Sequence, residues 1–236
     1  MNSVPLSSLS VTHVVYDSGS HVSLALALIT LSPVLLMACY ASLSVYTREL
    51  IIINMWAGQL ANEGFNWVLK EIFREERPET THGDGYGFPS SHSQYMGYFS
   101  TFLVIHFLTR HQFPNHSPWA QTIHHLILCF GLLTWAGVVC YSRYIIWGAI
   151  IGVCTGATHY LVTEFWPARS PDSSAGKLRS AILNSPIAQW ARIRDGWLIW
   201  GDGGKEHEYA RWKAAWDARS RASGQSVPGR KGAKGL

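Results

Sequence analysis

Apolar residues gather in five stretches, at 22–45, 50–69, 94–108, 123–141 and 144–166, and no comparable stretch follows. A helix needs about 20 apolar residues to cross a hydrocarbon core of roughly 30 Å, so this pattern predicts an all-α, polytopic membrane helical bundle of about five spans. The same pattern divides the chain into a membrane domain over 1–166 and a soluble C-terminal tail over 167–236. The second stretch is interrupted by Asn54, Gln59, Asn62, Glu63 and Asn66. Polar groups at membrane depth are costly unless they face a bundle interior or a wet cavity, so these residues predict a functional face. A helix that only dips into the interface is the alternative.

Composition agrees with a membrane chain diluted by a polar tail: charged residues are 14% of the 236, against about 25% in soluble domains. Cys39, Cys129, Cys140 and Cys154 all fall in apolar stretches without a metal-ligand pattern, and read as small core residues. Residues 1–20 lack a basic start followed by a short apolar core, so the first apolar stretch is expected to remain as a span. Of the 19 lysines and arginines, 13 lie beyond Trp166, which predicts a cytosolic tail. Five spans then carry the 70–92 loop and the Ser142–Arg143 junction to the far side, and leave Arg48 and the 110–121 loop with the tail.

The tail opens on "PARSPDSSAG", a linker composition, and closes on "SGQSVPGRKGAKGL", which is basic, glycine-rich and of disordered character. Between them Trp190, Trp197, Trp200, Trp212 and Trp216 alternate with basic residues. That fits an amphipathic segment on an anionic leaflet, the alternative being a small helical appendage. No nucleic-acid-binding signature accompanies these aromatics, and no obligate protein partner is implied.

The chemistry concentrates in "KEIFREERPETTHGDGYGFPSSHSQ", which begins as the second stretch ends. Lys70, Arg74 and Arg77 stand at i, i+4 and i+7, one helical face, with Pro78 expected to end the helix. Convergent cations at a membrane surface suit an anionic ligand such as phosphate; snorkelling anchors are the plainer reading of the same residues. Beyond Gly83, Gly85 and Gly87 comes Pro89-Ser90-Ser91-His92-Ser93, directly ahead of the third stretch. A serine at a helix start creates an anion-binding terminus, and His92 in the first turn stands where it can give a proton to a leaving oxygen.

Together Lys-x6-Arg-Pro (Lys70, Arg77, Pro78) and Pro-Ser-Ser-His (Pro89 to His92) resemble the first two motifs of the type 2 phosphatidic acid phosphatase superfamily. The spellings "GQLANEGFNWVLKE" and "GFPSSHSQ" resemble its dolichyl-diphosphatase branch most, over about residues 45–166. The resemblance implies a phosphatase that uses neither metal nor other cofactor. Its lipid substrate is dolichyl diphosphate, hydrolysed on the lumenal face of the endoplasmic reticulum to dolichyl phosphate for protein N-glycosylation. By the same resemblance Lys70, Arg77, Ser90 and Ser91 hold phosphate oxygens, His92 protonates the departing group, and Ser142-Arg143 opens a third motif that makes Arg143 a further phosphate clamp.

That third motif, Ser-Arg-x5-His-x3-Asp, places the nucleophilic histidine at a position occupied here by Ala149. The spacing is short for other reasons too, since Ser142-Arg143 alone separates the fourth and fifth stretches while helical bundles usually connect through about 2 to 8 residues. The expectation is that a segment of about ten residues, with the nucleophile, is missing and that the chain is impaired in turnover. His159 reads as a hydrogen-bonded core histidine, His124 and His125 stand on the wrong face, and His82 lies outside the motifs. Another lipid phosphate as substrate, and a non-catalytic membrane protein that keeps the phosphate cradle, stay open.

Overall fold

The computed structural model describes residues 6–9, 14–17, 21–75, 86–113, 117–140 and 145–222. A two-stranded antiparallel hairpin, β1 (Leu6–Leu9) and β2 (Val14–Asp17), with Leu6 opposite Asp17, precedes a helical array. The helices of the bundle are α1 (His21–Thr30), α2 (Ser32–Thr47), α3 (Leu50–Phe73), α4 (Ser91–Thr109), α5 (Pro118–Val139) and α6 (Ile145–Tyr160). A π-helical turn, Leu161–Phe165, carries α6 directly into α7 (Trp166–Arg169). The tail adds α8 (Ser174–Leu183), α9 (Pro186–Ala191), α10 (Gly196–Ile199) and α11 (Lys205–Ala222).

Two expectations shift. The stretch 22–45 is divided at Leu31, where Pro33 in the first turn of α2 cannot donate the backbone hydrogen bond that a continuous helix needs. Among the described residues two helices, Pro118–Val139 and Ile146–Arg169, are long and apolar enough to cross a membrane, and Ser32–Thr47 is a shorter apolar helix. α3 has the length, about 36 Å at 1.5 Å per residue, but its polar face lowers its hydropathy. Of those polar residues Gln59, Asn62 and Asn66 are buried, as the sequence pattern predicts, while Asn54 and Glu63 are half-buried.

α4 is the central element, with every residue from Ser93 to Ser100 buried. Its closest partner is α6, and the reason is a row of glycines. A Cβ placed on Gly152 would run into the Gln94 carbonyl oxygen, one on Gly148 would stand 2.8 Å from that of Ser90, and one on Gly156 2.8 Å from that of Tyr98. From the other side, a Cβ on Gly97 would meet the Ala149 carbonyl oxygen at 2.8 Å. Small residues four apart let two helices touch backbone to backbone, which replaces the hydrophobic driving force that lipid does not supply.

The bundle has two distinct ends. At one, the finish of α3 meets the start of α4, and the described residues on either side of 141–144 lie close by: the Cys140 thiol is 3.8 Å from the Ser93 carbonyl oxygen, and Gly148 abuts Ser90. At the other end the tail packs onto α3, α4 and the continuation of α6 through buried charges. Glu164, fully buried in the π turn, meets Arg110 at 2.9 Å and Arg179 at 2.8 Å, while Asn54 donates to its other oxygen at 2.8 Å. Arg179 also reaches Asp195 at 2.6 Å, and Arg194 bridges Glu49 at 2.6 Å and Glu208 at 2.7 Å. Burial raises the Glu49 carboxyl, against the opposing pull of the Gly196 N–H and the Arg194 guanidinium. Trp197 closes this end against His106 (4.8 Å) and His111 (5.0 Å). On α11 the rings of Tyr209, Trp212 and Trp216 line one exposed face, Trp212 stacked on Trp216 and Tyr209 tilted against Trp212.

Two outcomes follow from this packing. Gly152→Val forces α6 off α4 and lowers unfolding stability by about 1–3 kcal/mol or more, measurable as a lower melting temperature in detergent. Desolvation, then the nearby His125 and Lys205, push His111 down to about 4. An unfolded histidine takes up its proton near pH 6.5, so stability is lost as pH falls from about 6.5 to about 4 and levels off below. His111 is partly exposed, so the loss is roughly 1–2 kcal/mol, and His111→Gln flattens that part of the stability–pH curve.

Candidate active site

The predicted site residues divide between described and undescribed positions. Arg77 and Arg143 lie outside the described residues; Lys70, Ser90, Ser91 and His92 are described. Lys70 sits in the last turn of α3, where a cation complements the helix C-terminus. The helix then stops at Phe73, five residues ahead of Pro78, because Arg74 takes a left-handed conformation at φ 49° and folds back onto Glu71 at 3.7 Å. The expected continuous face of Lys70, Arg74 and Arg77 is therefore broken at Arg74. The Gly87 N–H donates to the Glu75 carbonyl at 2.8 Å and draws together the described residues on either side of 76–85.

On the opposing element, Phe88–Pro89 is a cis peptide and Pro89 is buried. Ser90 is the N-cap residue of α4, with an extended backbone, but its hydroxyl makes no capping bond. Ser91 and His92 form the first turn, where the helix dipole favours an anion. Ser91 is half-buried, while His92 is exposed at the rim.

Lys70 and Ser91 are brought into direct contact, the ammonium donating to the hydroxyl at 2.7 Å. The Ser91 hydroxyl in turn donates to Asn66 Oδ1 at 3.0 Å. Asn66 Nδ2 donates to Gln94 Oε1 at 2.7 Å, and Gln94 Nε2 donates to Asn62 at its Oδ1 (3.0 Å) and its carbonyl (3.1 Å). Thr155 on α6 completes the chain by donating to Asn62 Oδ1 at 2.9 Å. Asn62, Asn66 and Gln94 are all buried, so each amide is held at the low dielectric where a satisfied hydrogen bond strengthens and an orphaned one is costly. The chain's function in the fold is to hold Lys70 and the start of α4 at a set separation. An oxyanion placed over that turn meets an ammonium and a helix N-terminus together.

The asparagines were visible in sequence as a polar face; Gln94 stood within the quoted serine–histidine motif but nothing there marked it as their partner, and Thr155 lies in the apolar fifth stretch without a signal of its own. His159 is hydrogen-bonded to the Tyr98 hydroxyl at 2.7 Å and packs on Phe102, as a core histidine should. Ala149 belongs to the α4–α6 seam, its carbonyl against Gly97. Among the described residues no group of three or more His, Cys, Asp or Glu side chains could hold a metal ion.

Comparison with known proteins agrees over most of the chain. It is 33% identical over 199 residues to dolichyldiphosphatase 1 of Rhinolophus ferrumequinum, covering 81% of this chain and 82% of that one. Dolichyldiphosphatase 1 of Homo sapiens is 32% identical over 204 residues (81% and 82%), and a putative dolichyldiphosphatase of Neurospora crassa is 31% identical over 266 (84% and 93%). Neither a family model nor a solved structure matches.

Asn66→Leu should release Ser91 and Lys70 together. The expected result is roughly tenfold weaker binding of orthovanadate to the purified chain, with Asn66→Asp, which keeps an acceptor for Ser91, weakening it less. Titration calorimetry reads both.

Proposed function

The chain belongs to the dolichyldiphosphatase family, and from that premise we propose that its Lys70–Ser91 corner receives the terminal phosphate of dolichyl diphosphate. The reaction is hydrolysis of the phosphoanhydride to dolichyl phosphate and inorganic phosphate. Its setting is the lumenal side of the endoplasmic reticulum membrane, where the product serves protein N-glycosylation. About five spans, the first made of α1 and α2 and the others of α3 to α6, carry the site, and the tail lies on the cytosolic side. The observation that carries this reading is the buried amide chain that fixes an ammonium beside a helix N-terminus.

In this reading Lys70, Arg77, Ser90, Ser91 and Arg143 neutralise the phosphate oxygens. Charge spreads over those oxygens as the bridging bond breaks, so gathered cations and N–H donors supply most of the stabilisation. His92 donates its proton to the bridging oxygen as the lipid phosphate departs. No metal enters the scheme. The family resemblance assigns attack on phosphorus to a second histidine, and Ala149 stands at that place.

That alanine favours a second reading, in which the chain binds a lipid diphosphate without turning it over. What supports this is the side chain itself, since a methyl group cannot attack phosphorus.

Phosphate release from dolichyl diphosphate by the purified chain separates the two. The catalytic reading expects release above a protein-free blank, faster than from phosphatidate and about 100-fold slower in His92→Ala. Release at the blank level, with dolichyl diphosphate still bound and binding weakened by Lys70→Met, establishes the second. A preference for phosphatidate overturns the substrate assignment.

A further inference from the structure

A cavity of about 610 Å³ opens at the opposite end of α3 from Lys70, between the α2–α3 corner and the tail. Ile52 on its wall and Lys70 are separated by roughly 27 Å of helix, so this cavity is not part of the phosphate corner. Four cations line it, Arg48, Arg192, Arg194 and Lys205, against two carboxylates, Glu49 and Glu208. Both carboxylates are engaged by Arg194. Arg48, Arg192 and Lys205 have no carboxylate within ion-pair distance among the described residues.

Two of these arginines are held in an unfavourable conformation. Arg48 and Arg192 each end a helix with φ 55°, a left-handed geometry that glycine or asparagine adopts at far lower cost than a long side chain. Strain of this kind persists where the surroundings over-determine it, and here the backbone is locked: the Arg194 N–H donates to the Arg48 carbonyl at 2.9 Å and the Leu50 N–H to the Arg194 carbonyl at 2.8 Å. Both left-handed helix ends deliver an arginine to the same cavity.

The third wall is apolar. Leu43 and Tyr46, on the last turns of α2, are 46% and 87% exposed and border the same cavity. An occupant there meets cations with one end and a lipid-facing hydrocarbon wall with the other.

We propose that this cavity binds the phosphate headgroup of an anionic phospholipid in the leaflet nearest the tail, with acyl chains running along Leu43 and Tyr46. The headgroup sits between Arg48, Arg192 and Lys205, and through Arg194 it bears on the contact between the tail and the start of α3. Free inorganic phosphate shares the charge but not the hydrocarbon, so the two sources are separable.

The test uses the full chain in detergent, titrated with phosphatidylglycerol, phosphatidylcholine or inorganic phosphate, with bound lipid counted by native mass spectrometry. Phosphatidylglycerol is expected to bind in preference to phosphatidylcholine, without displacement by inorganic phosphate at equal concentration. Arg48→Asn with Arg192→Asn removes both charges while easing the left-handed strain, so the melting temperature should hold or rise while phosphatidylglycerol binding weakens about thirtyfold. Lys205→Gln, at an exposed position, should weaken it about fivefold. Lys70→Met, at the other end, should leave it unchanged. Equal affinity for the two lipids, displacement by inorganic phosphate, unaltered binding in the asparagine pair, or loss in Lys70→Met instead, each overturns the proposal.

Discussion

Backbone contact between α4 and α6 governs the placement of everything else at the site. With Gly148, Gly152 and Gly156 laid against the carbonyls of Ser90, Gln94 and Tyr98, the two helices cannot rotate about their axes without a steric clash. Rotation of α4 being fixed, Gln94 must point toward α3, and only one pair of asparagines there is positioned to satisfy it. The hydrogen bonds are individually modest in net value. Their alternative, an unpaired amide in a dry seam, is not, and that asymmetry makes the register of α3 on α4 close to all-or-none. Lys70 meets Ser91 because the register beneath them has no other solution.

The opposite end is held by a different kind of interaction. Buried charges replace close packing: Glu164 is shared by Arg110 and Arg179, and Arg179 extends to Asp195. Such pairs add little net stability against an apolar equivalent, but removing one partner leaves a charge stranded. The π turn contributes to the arrangement, since its extra residue per turn re-aims Glu164 inward while α6 continues.

How much of this could be read from the chain varies with the physics involved. The asparagines of α3 were legible because polar groups interrupting an apolar run have few affordable places to go. Lys70, Ser90, Ser91 and His92 stood out as candidates by spacing, and the helix does start where the serines stand, although the Ser90 hydroxyl makes no capping bond. The end of α3 was not: Arg74 turns left-handed ahead of Pro78, a local choice that no periodicity encodes. Nor was the break at Leu31, hidden in an unbroken apolar stretch with a single proline. The glycine row on α6 lies in plain view at a spacing of four, yet its meaning depends on the opposing carbonyls, which come from residues more than fifty positions earlier. The tail's basic residues suggested a solvated or membrane-facing segment; Arg179 instead pairs with Glu164 as well as with Asp195, and Arg194 reaches Glu49, so that two of these partners lie outside the tail.

The charge clamp also imposes an order on biosynthesis. Its members are collected from position 49 to position 208, and Arg179, Arg194 and Asp195 leave the ribosome only after every helix of the bundle has been made. Until then Glu49 lacks Arg194, and Glu164 has Arg110 and the Asn54 amide but not Arg179. Chains elongate at about 5–20 residues per second, so the nascent bundle spends seconds with one end unfastened. A message cut short anywhere between residues 170 and 178 would release a chain with its apolar helices finished and every tail member of its fastening absent, a ready substrate for quality control.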